Sequence, residues 1–303
     1  TYKLSLVRWK KNKIRKLYTE EDIKATVNLI YPVKPYNVFK LDESVRATFW
    51  LNAHLPGSAS IYFSINGINL FFTGDFKKES VFFKSRRIPA YWRREPCTII
   101  TESTYGDQLT EDQSNECTLV DNISEAMSTK KLMVIFALSQ GRTEEVLFKL
   151  RQMQIDKKLD PNIPIYLDGK LTKRFFKLWS SEEFCLRRKF EPENLHMINS
   201  DGHRISVMYK HLRSYEQAPA IIVTSSGMGN YGPAQQYIAE LLRDERVFFQ
   251  FTSYLPEGTA ARTLLNAKER ELEIFLMNGQ YYHAPLCEIR TTTECSGHAR
   301  ADV

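Results

Sequence analysis

Apolar and polar positions follow two rhythms along the chain. From residue 36 to 101 the rhythm is that of short strands: Tyr36-Asn-Val-Phe39, Val45 to Trp50, and two apolar runs either side of Asn66-Gly67 within 61–72. Asn-Gly supplies positive φ at both central positions of a type I′ turn, so 61–72 reads as a hairpin. Cys97-Thr-Ile-Ile-Thr101 reads as a short buried strand by its β-branched content. A helix precedes these strands. Thr19-Glu-Glu-Asp22 is a capping box with Tyr18 and Ile23 as its staple, Ile23, Val27 and Ile30 follow at helical spacing, and Pro32 and Pro35 close it.

From Ser114 the pattern changes to strand, polar turn, helix. Ser114 to Thr129 reads as helix. The apolar runs Leu132 to Leu138, Ile163 to Leu167, Ala220 to Thr224 and Val247 to Phe251 read as strands. A helix follows each: one with Val146, Leu147, Leu150 and Met153 on a single face, one over Leu171 to Trp179, one opening on Pro233, and one after Thr259. Four such repeats predict right-handed crossovers and a mainly parallel sheet. The stretch 160–212 has no clear pattern beyond its first strand and helix. After Tyr281 the chain returns to β, through Glu288 to Thr292.

The strand ends carry the candidate chemistry. His54, in Asn52-Ala-His-Leu-Pro-Gly-Ser-Ala-Ser60, ends one apolar run, and Asp75 ends the next. They should sit near the same end of neighbouring strands, where a hard metal or a phosphate could be held. Glu102 ends the 97–101 strand. In the parallel part the strand ends bear Ser139, Arg142, Asp168, Ser225, Ser226 and Gly258, and such ends are where ligands gather. This makes a phosphate-friendly rim. No G-x-x-x-x-G-K-[ST] occurs, which disfavours a nucleoside triphosphate site. His196, His203, His211 and His283 show no ligand spacing and read as surface or packing histidines.

Composition narrows the class. With 303 residues, 43% hydrophobic and 26% charged, the chain is ordinary globular protein. No window approaches the roughly 18 apolar residues of a spanning helix, and the basic N-terminus has no apolar stretch after it, so the expectation is a protein that is not secreted and not in a membrane. Cys97, Cys117, Cys185, Cys287 and Cys295 are scattered and never in a C-x-x-C pair, against a disulfide framework or a cysteine zinc site and for a reducing compartment. The net charge of +6 concentrates in Arg8 to Lys16, Lys84-Ser-Arg-Arg87 and Arg93-Arg94, interleaved with Trp9, Tyr91 and Trp92. Such runs suit a polyanion path with bases stacking on aromatics; the plainer reading is a solvated basic face anchored by its aromatics.

Taken in order, these motifs resemble the β-CASP family of metallo-β-lactamase-fold nucleases, which includes the cleavage and polyadenylation endonuclease and its archaeal and bacterial RNA-processing relatives. Ala53-His54-Leu-Pro-Gly57-Ser-Ala59 is similar to the family's third metal motif without its leading glycine. Phe72-Thr-Gly-Asp75 matches the fourth, Glu102-Ser-Thr-Tyr-Gly106 the first β-CASP motif, and Ser296-Gly-His298-Ala299 the second. Gly141-Arg-Thr-Glu-Glu145, Ser226-Gly-Met-Gly229 with Gly232-Pro233, and Tyr254 with Gly258-Thr259 and Arg262-Thr-Leu-Leu265 resemble supporting elements. The resemblance covers about residues 18–303.

It implies an α/β fold: a partial metallo-β-lactamase αββα sandwich at 1–106 and 285–303, with a β-CASP domain of mainly parallel sheet inserted at 107–284. It implies a zinc-dependent phosphodiesterase acting on single-stranded RNA, with DNA as the other candidate, in RNA processing or decay. Two zinc ions would fill a complete site, which could generate hydroxide and clamp a phosphodiester. His54 would bind one zinc and Asp75 would bridge both. Glu102 would orient His298, and His298 would help protonate the leaving oxygen. Ser225, Ser226 and the amides from Gly227 to Gly229 would hold flanking phosphates, with Arg142 supporting them by charge. The expected setting is cytoplasmic, or nuclear in a eukaryote, with room for a homodimer or for processing-complex partners.

Three departures bear on this. The family's His-x-His-x-Asp-His should precede residue 1, its last histidine should follow residue 303, and Arg300 replaces the aspartate after His298 with Asp302 two places on. The expectation is a chain cut at both ends, weak or inactive by itself. The competing expectation is a non-catalytic nucleic-acid-binding or scaffold subunit of the same fold. A small-molecule metallo-hydrolase is disfavoured, because a phosphate-lined cap has no work to do on a lactam or thioester.

Overall fold

The structure, a computed structural model, describes residues 17–107, 118–181, 189–213 and 219–292. The basic run Arg8 to Lys16, Trp9, and His298 with its motif lie outside the described residues.

Helix α1 (Glu20–Asn28) opens on the expected capping box, Thr19 and Asp22 bonding each other's backbone amides. None of its residues is buried. Its periodic residues therefore stay largely solvated among the described residues. Strands β1 (Val38–Lys40), β2 (Val45–Leu51), β3 (Ala59–Ile65), β4 (Ile68–Phe72) and β5 (Cys97–Ile100) form a five-stranded sheet in that order. Pairing is antiparallel until β5, which runs parallel to β4. Asn66 and Gly67 have φ of 49° and 83°, and Ile65 pairs Ile68 across them. This is the I′ geometry whose twist matches the strands. Strand β5 forms where β-branching predicts it, but it is not buried. It lies at the sheet edge with Ile99 64% and Ile100 45% exposed, because content sets strand propensity while position in the sheet sets burial.

The second sheet is more completely enclosed. Helix α2 (Leu119–Thr129), β6 (Leu132–Phe136), α3 (Arg142–Ile155), β7 (Ile165–Asp168), α4 (Lys170–Trp179), β8 (Leu195–Met197), α5 (Asp201–Arg213), β9 (Ala220–Thr224), α6 (Pro233–Leu241), β10 (Val247–Phe251) and α7 (Ala260–Glu269) succeed one another. A small ribbon, β11 (Ile274–Met277) with β12 (Gln280–His283), leads to β13 (Glu288–Thr291). The sheet order is β13-β10-β6-β9-β7-β8, and every pair is parallel. Strands β8 and β11 escape the sequence pattern, and β13 forms where it is expected but in the other sheet. The three-residue β8 is too short to show a period. β13, grouped by sequence with the first sheet's domain, instead extends the second sheet beside β10.

All of β6, β9 and β10 is buried. Alternate residues face two cores. Leu132, Val134 and Phe136 meet α5, α6 and α7, while Met133 and Ile135 meet α2, α3 and α4. The loop between β4 and β5 joins that second core: Val81 and Phe83 pack against it, and Phe82, buried within it, lies edge-on to Phe148, Trp179 and Phe190 at ring distances of 5.6, 5.4 and 5.8 Å.

Candidate active site

The loops beyond β2, β4 and β5 meet at one end of the first sheet. Because β3 runs back between β2 and β4, those two strands end on the same side, as the placement of His54 and Asp75 predicts. Asn52 and Ser60 shape that end: Asn52 Nδ2 donates to the Thr73 carbonyl at 3.2 Å, Ser60 Oγ donates to the same oxygen at 2.8 Å, and the His54 amide donates to Asn52 Oδ1 at 3.3 Å. His54 Nε2 then stands 3.9 Å from Asp75 Oδ2, the imidazole largely buried and the carboxylate exposed.

Glu102 belongs to the same cluster. The parallel register Phe72↔Ile100 carries both chains to the same level. The Phe76 amide donates to Glu102 Oε1 at 2.8 Å, and Thr104 Oγ1 donates to Oε2 at 2.6 Å. The carboxylate thus braces the backbone just past Asp75. Thr73 bridges the two loops, its hydroxyl accepting from the Glu102 amide at 3.3 Å. Asn52, Ser60 and Thr73 are the positioning residues that motif reading passes over; a small polar residue at each strand end was the available signal.

The N-terminus of α3 closes one side. Gly141 packs against Leu55 Cδ2, next to His54, and its φ of 81° is a backbone conformation that favours glycine. Arg142 is buried and its Nη1 donates to Glu145 Oε2 at 2.7 Å, so its charge is matched inside the protein. Burial raises the Glu145 pKa, opposed by the charges of Arg142 and Lys77. Glu144 accepts the Gly141 amide at 2.7 Å through Oε2, while its buried Oε1 has no hydrogen-bond partner among the described residues. Burial pushes its pKa up to about 7.

The expected phosphate rim lies at a switch point. After β6 the chain turns to α3 on one face, and after the adjacent β9 it turns to α6 on the other, which opens a crevice at the C-terminal ends. Ser225, Ser226 and Gly227 stand there. A Cβ on Gly227 would sit 3.0 Å from the Leu138 nitrogen and from Ser253 Oγ, so the β9 loop rests directly on the β6 loop. Thr172 Oγ1 and Ser253 Oγ are buried without a hydrogen-bond partner among the described residues. Asp168, also at a strand end, is taken up internally: it accepts from Arg204 Nε and from the Tyr237 hydroxyl at 2.9 Å. Burial and that carboxylate raise the Tyr237 pKa. Trp92, expected on a base-stacking path, is buried and stacks on Tyr62 at 4.1 Å. It anchors the basic face, while Tyr91 stays exposed.

An imidazole and a carboxylate are donors that zinc takes. Their 3.9 Å separation is slightly wider than the roughly 3.4 Å spanned by two ~2.1 Å bonds at a tetrahedral angle. By donor type, His54 and Asp75 fit as part of a zinc site. Among the described residues no set of three His, Cys, Asp or Glu is arranged to hold a metal.

Among known families, the model described as Beta-Casp domain matches residues 143–264 of the chain. The chain is 29% identical over 271 residues to an RNase J-like protein of Methanocaldococcus jannaschii, covering 87% of this chain and 62% of that protein. It is 27% identical over 296 residues to transcription termination factor FttA of the same organism, covering 93% and 45%. It is 25% identical over 272 residues to endoribonuclease ysh1 of Schizosaccharomyces pombe, covering 87% and 34%. The chain thus spans from about a third to less than two thirds of these relatives' lengths.

Proposed function

We propose that this chain forms part of a metal-dependent nuclease that cuts single-stranded nucleic acid, RNA in the first instance, in RNA processing or decay. The observation that carries it is the convergence of His54, Asp75 and Glu102 at one end of the first sheet. The names of the relatives, an RNase J-like protein and an endoribonuclease among them, point the same way. Residues 1–106 would form the metallo-β-lactamase part and 107–284 the inserted β-CASP part. The chain would rejoin the first part within 285–303, past β13.

His54 and Asp75 would hold zinc, two ions in a complete site, which when bound supplies hydroxide at neutral pH and charge for the phosphodiester. Glu102 keeps the backbone after Asp75 in place, and toward His298 it would fix the tautomer of an imidazole that protonates the leaving oxygen. Ser225, Ser226 and the Gly227 amide would take flanking phosphates. Arg142, already paired with Glu145, would act on them only through the shape of the α3 turn. A homodimer or a processing complex, and a cytoplasmic or nuclear setting, belong to the same proposal.

Cleavage of 5′-labelled RNA and single-stranded DNA by the full-length gene product, loaded with zinc, tests this. RNA cutting is expected, abolished in Asp75→Asn and lowered about 10–100-fold in Glu102→Gln. Failure to cut either polymer would overturn the enzyme. One relative is named a transcription termination factor, and the second reading is a non-catalytic nucleic-acid-binding subunit. Retained RNA binding without cutting would establish it.

A further inference from the structure

A pocket of about 530 Å³ opens on the second sheet away from the switch-point crevice. It lies toward the N-terminal ends of β7 and β8, between the edge strand and α5, and it is lined among others by Asn162, Tyr166, His196, His203, Lys210 and His211. We propose that it binds a phosphate-bearing ligand of mononucleotide size. The proposal does not depend on the nuclease reading.

Register and helical spacing assemble the pocket. Tyr166 pairs His196 across β7 and β8, so both side chains leave the same face of the sheet. Their rings lie 5.4 Å apart at 34°. On α5, His203 and Lys210 are seven residues apart and so share a face, with buried Val207 between them anchoring the helix to the core. His211 is buried, its Nε2 3.2 Å from the Tyr166 hydroxyl.

The hydrogen bonds orient the donors. His203 Nδ1 accepts the Asn199 amide at 3.4 Å, which leaves Nε2–H as the donor. His196 Nε2 donates to Asn194 Oδ1 at 2.7 Å. Lys210 adds a full positive charge, and none of the lining residues is a carboxylate. The Nε2–H of His203 and the Lys210 ammonium, with no carboxylate among the lining residues, suit a phosphate group. The exposed His196 ring, tilted 34° to the buried Tyr166, offers a face on which a base can stack, and the volume lies in the range of small-ligand sites. No described trio of these histidines is arranged to hold a metal.

The test follows the imidazole resonances of the 303-residue chain by NMR at constant pH and ionic strength, with adenosine 5′-monophosphate, inorganic phosphate and adenosine as probes. Saturable shifts at His196, His203 and His211 are expected with the nucleotide, weaker ones with phosphate, and none with adenosine. The double variant Lys210→Met with His203→Gln, both at exposed positions, should weaken nucleotide binding at least about tenfold. A response to adenosine equal to that of the nucleotide, an unchanged affinity in the double variant, or no saturable shift would each overturn the proposal. Saturable shifts with phosphate as strong as with the nucleotide would also overturn it, by showing that the base is not recognised.

Discussion

The two sheets differ in how they meet water. In the second, β6, β9 and β10 are buried at every position, and helices cover both faces. In the first, most strand positions are half-buried, and β5 shows three of its four residues to solvent. Hydrophobic burial is the main source of folding free energy, so the second sheet is the stability centre and the first is the more readily perturbed. The candidate metal residues stand on the less buried sheet. The elements that brace them, the α3 turn against Leu55 and the Phe82 loop, reach to or from the well-packed one.

Substitutions can break this contrast. Phe249→Ala removes a fully buried ring held edge-on to Phe136 at 5.2 Å and is expected to cost about 3–5 kcal/mol in urea unfolding. Arg204→Leu strands Asp168 without its guanidinium. A loss approaching the same size, about 3 kcal/mol, is expected by the same measurement.

Glu144 gives a pH signature. Its folded pKa is raised from 4.5 to about 7, so the folded state holds a proton that the unfolded chain releases. That contribution is fully present below about pH 4.5 and is lost as pH rises through about 7. Stability should fall across that window by up to about 3 kcal/mol, with buried Glu145 shifted in the same direction. In Glu144→Gln the slope should shrink to the part that Glu145 contributes; an unchanged slope would show that Glu144 is not a group responsible. At the small end, Ile99→Thr on the exposed edge of the first sheet should change stability by no more than about 0.5 kcal/mol. A cost near that of Phe249→Ala would erase the difference between the sheets.

The sequence reveals these regions unevenly, for physical reasons. Strands β6, β7, β9 and β10 are legible because burial on both faces demands a continuous apolar run. The I′ turn is legible because it needs positive φ at both positions. His54, Asp75 and Glu102 are legible as strand-end residues, and the structure brings them together. What sequence hides depends on partners distant along the chain. Trp92 looks like a surface aromatic among arginines until Tyr62 is placed against it. Arg142 looks like a free cation until Glu145 folds one helical turn away. β13 looks like part of the first domain until it pairs with β10. Asp168 reads as a rim residue, although Arg204, 36 positions later, claims it.

Phe82 has one further consequence. Its ring sits among aromatics of the other layer, so parting the layers would leave a phenylalanine-sized void in a close-packed interior. It works as a rivet between them. Heating should therefore melt both layers in one calorimetric transition.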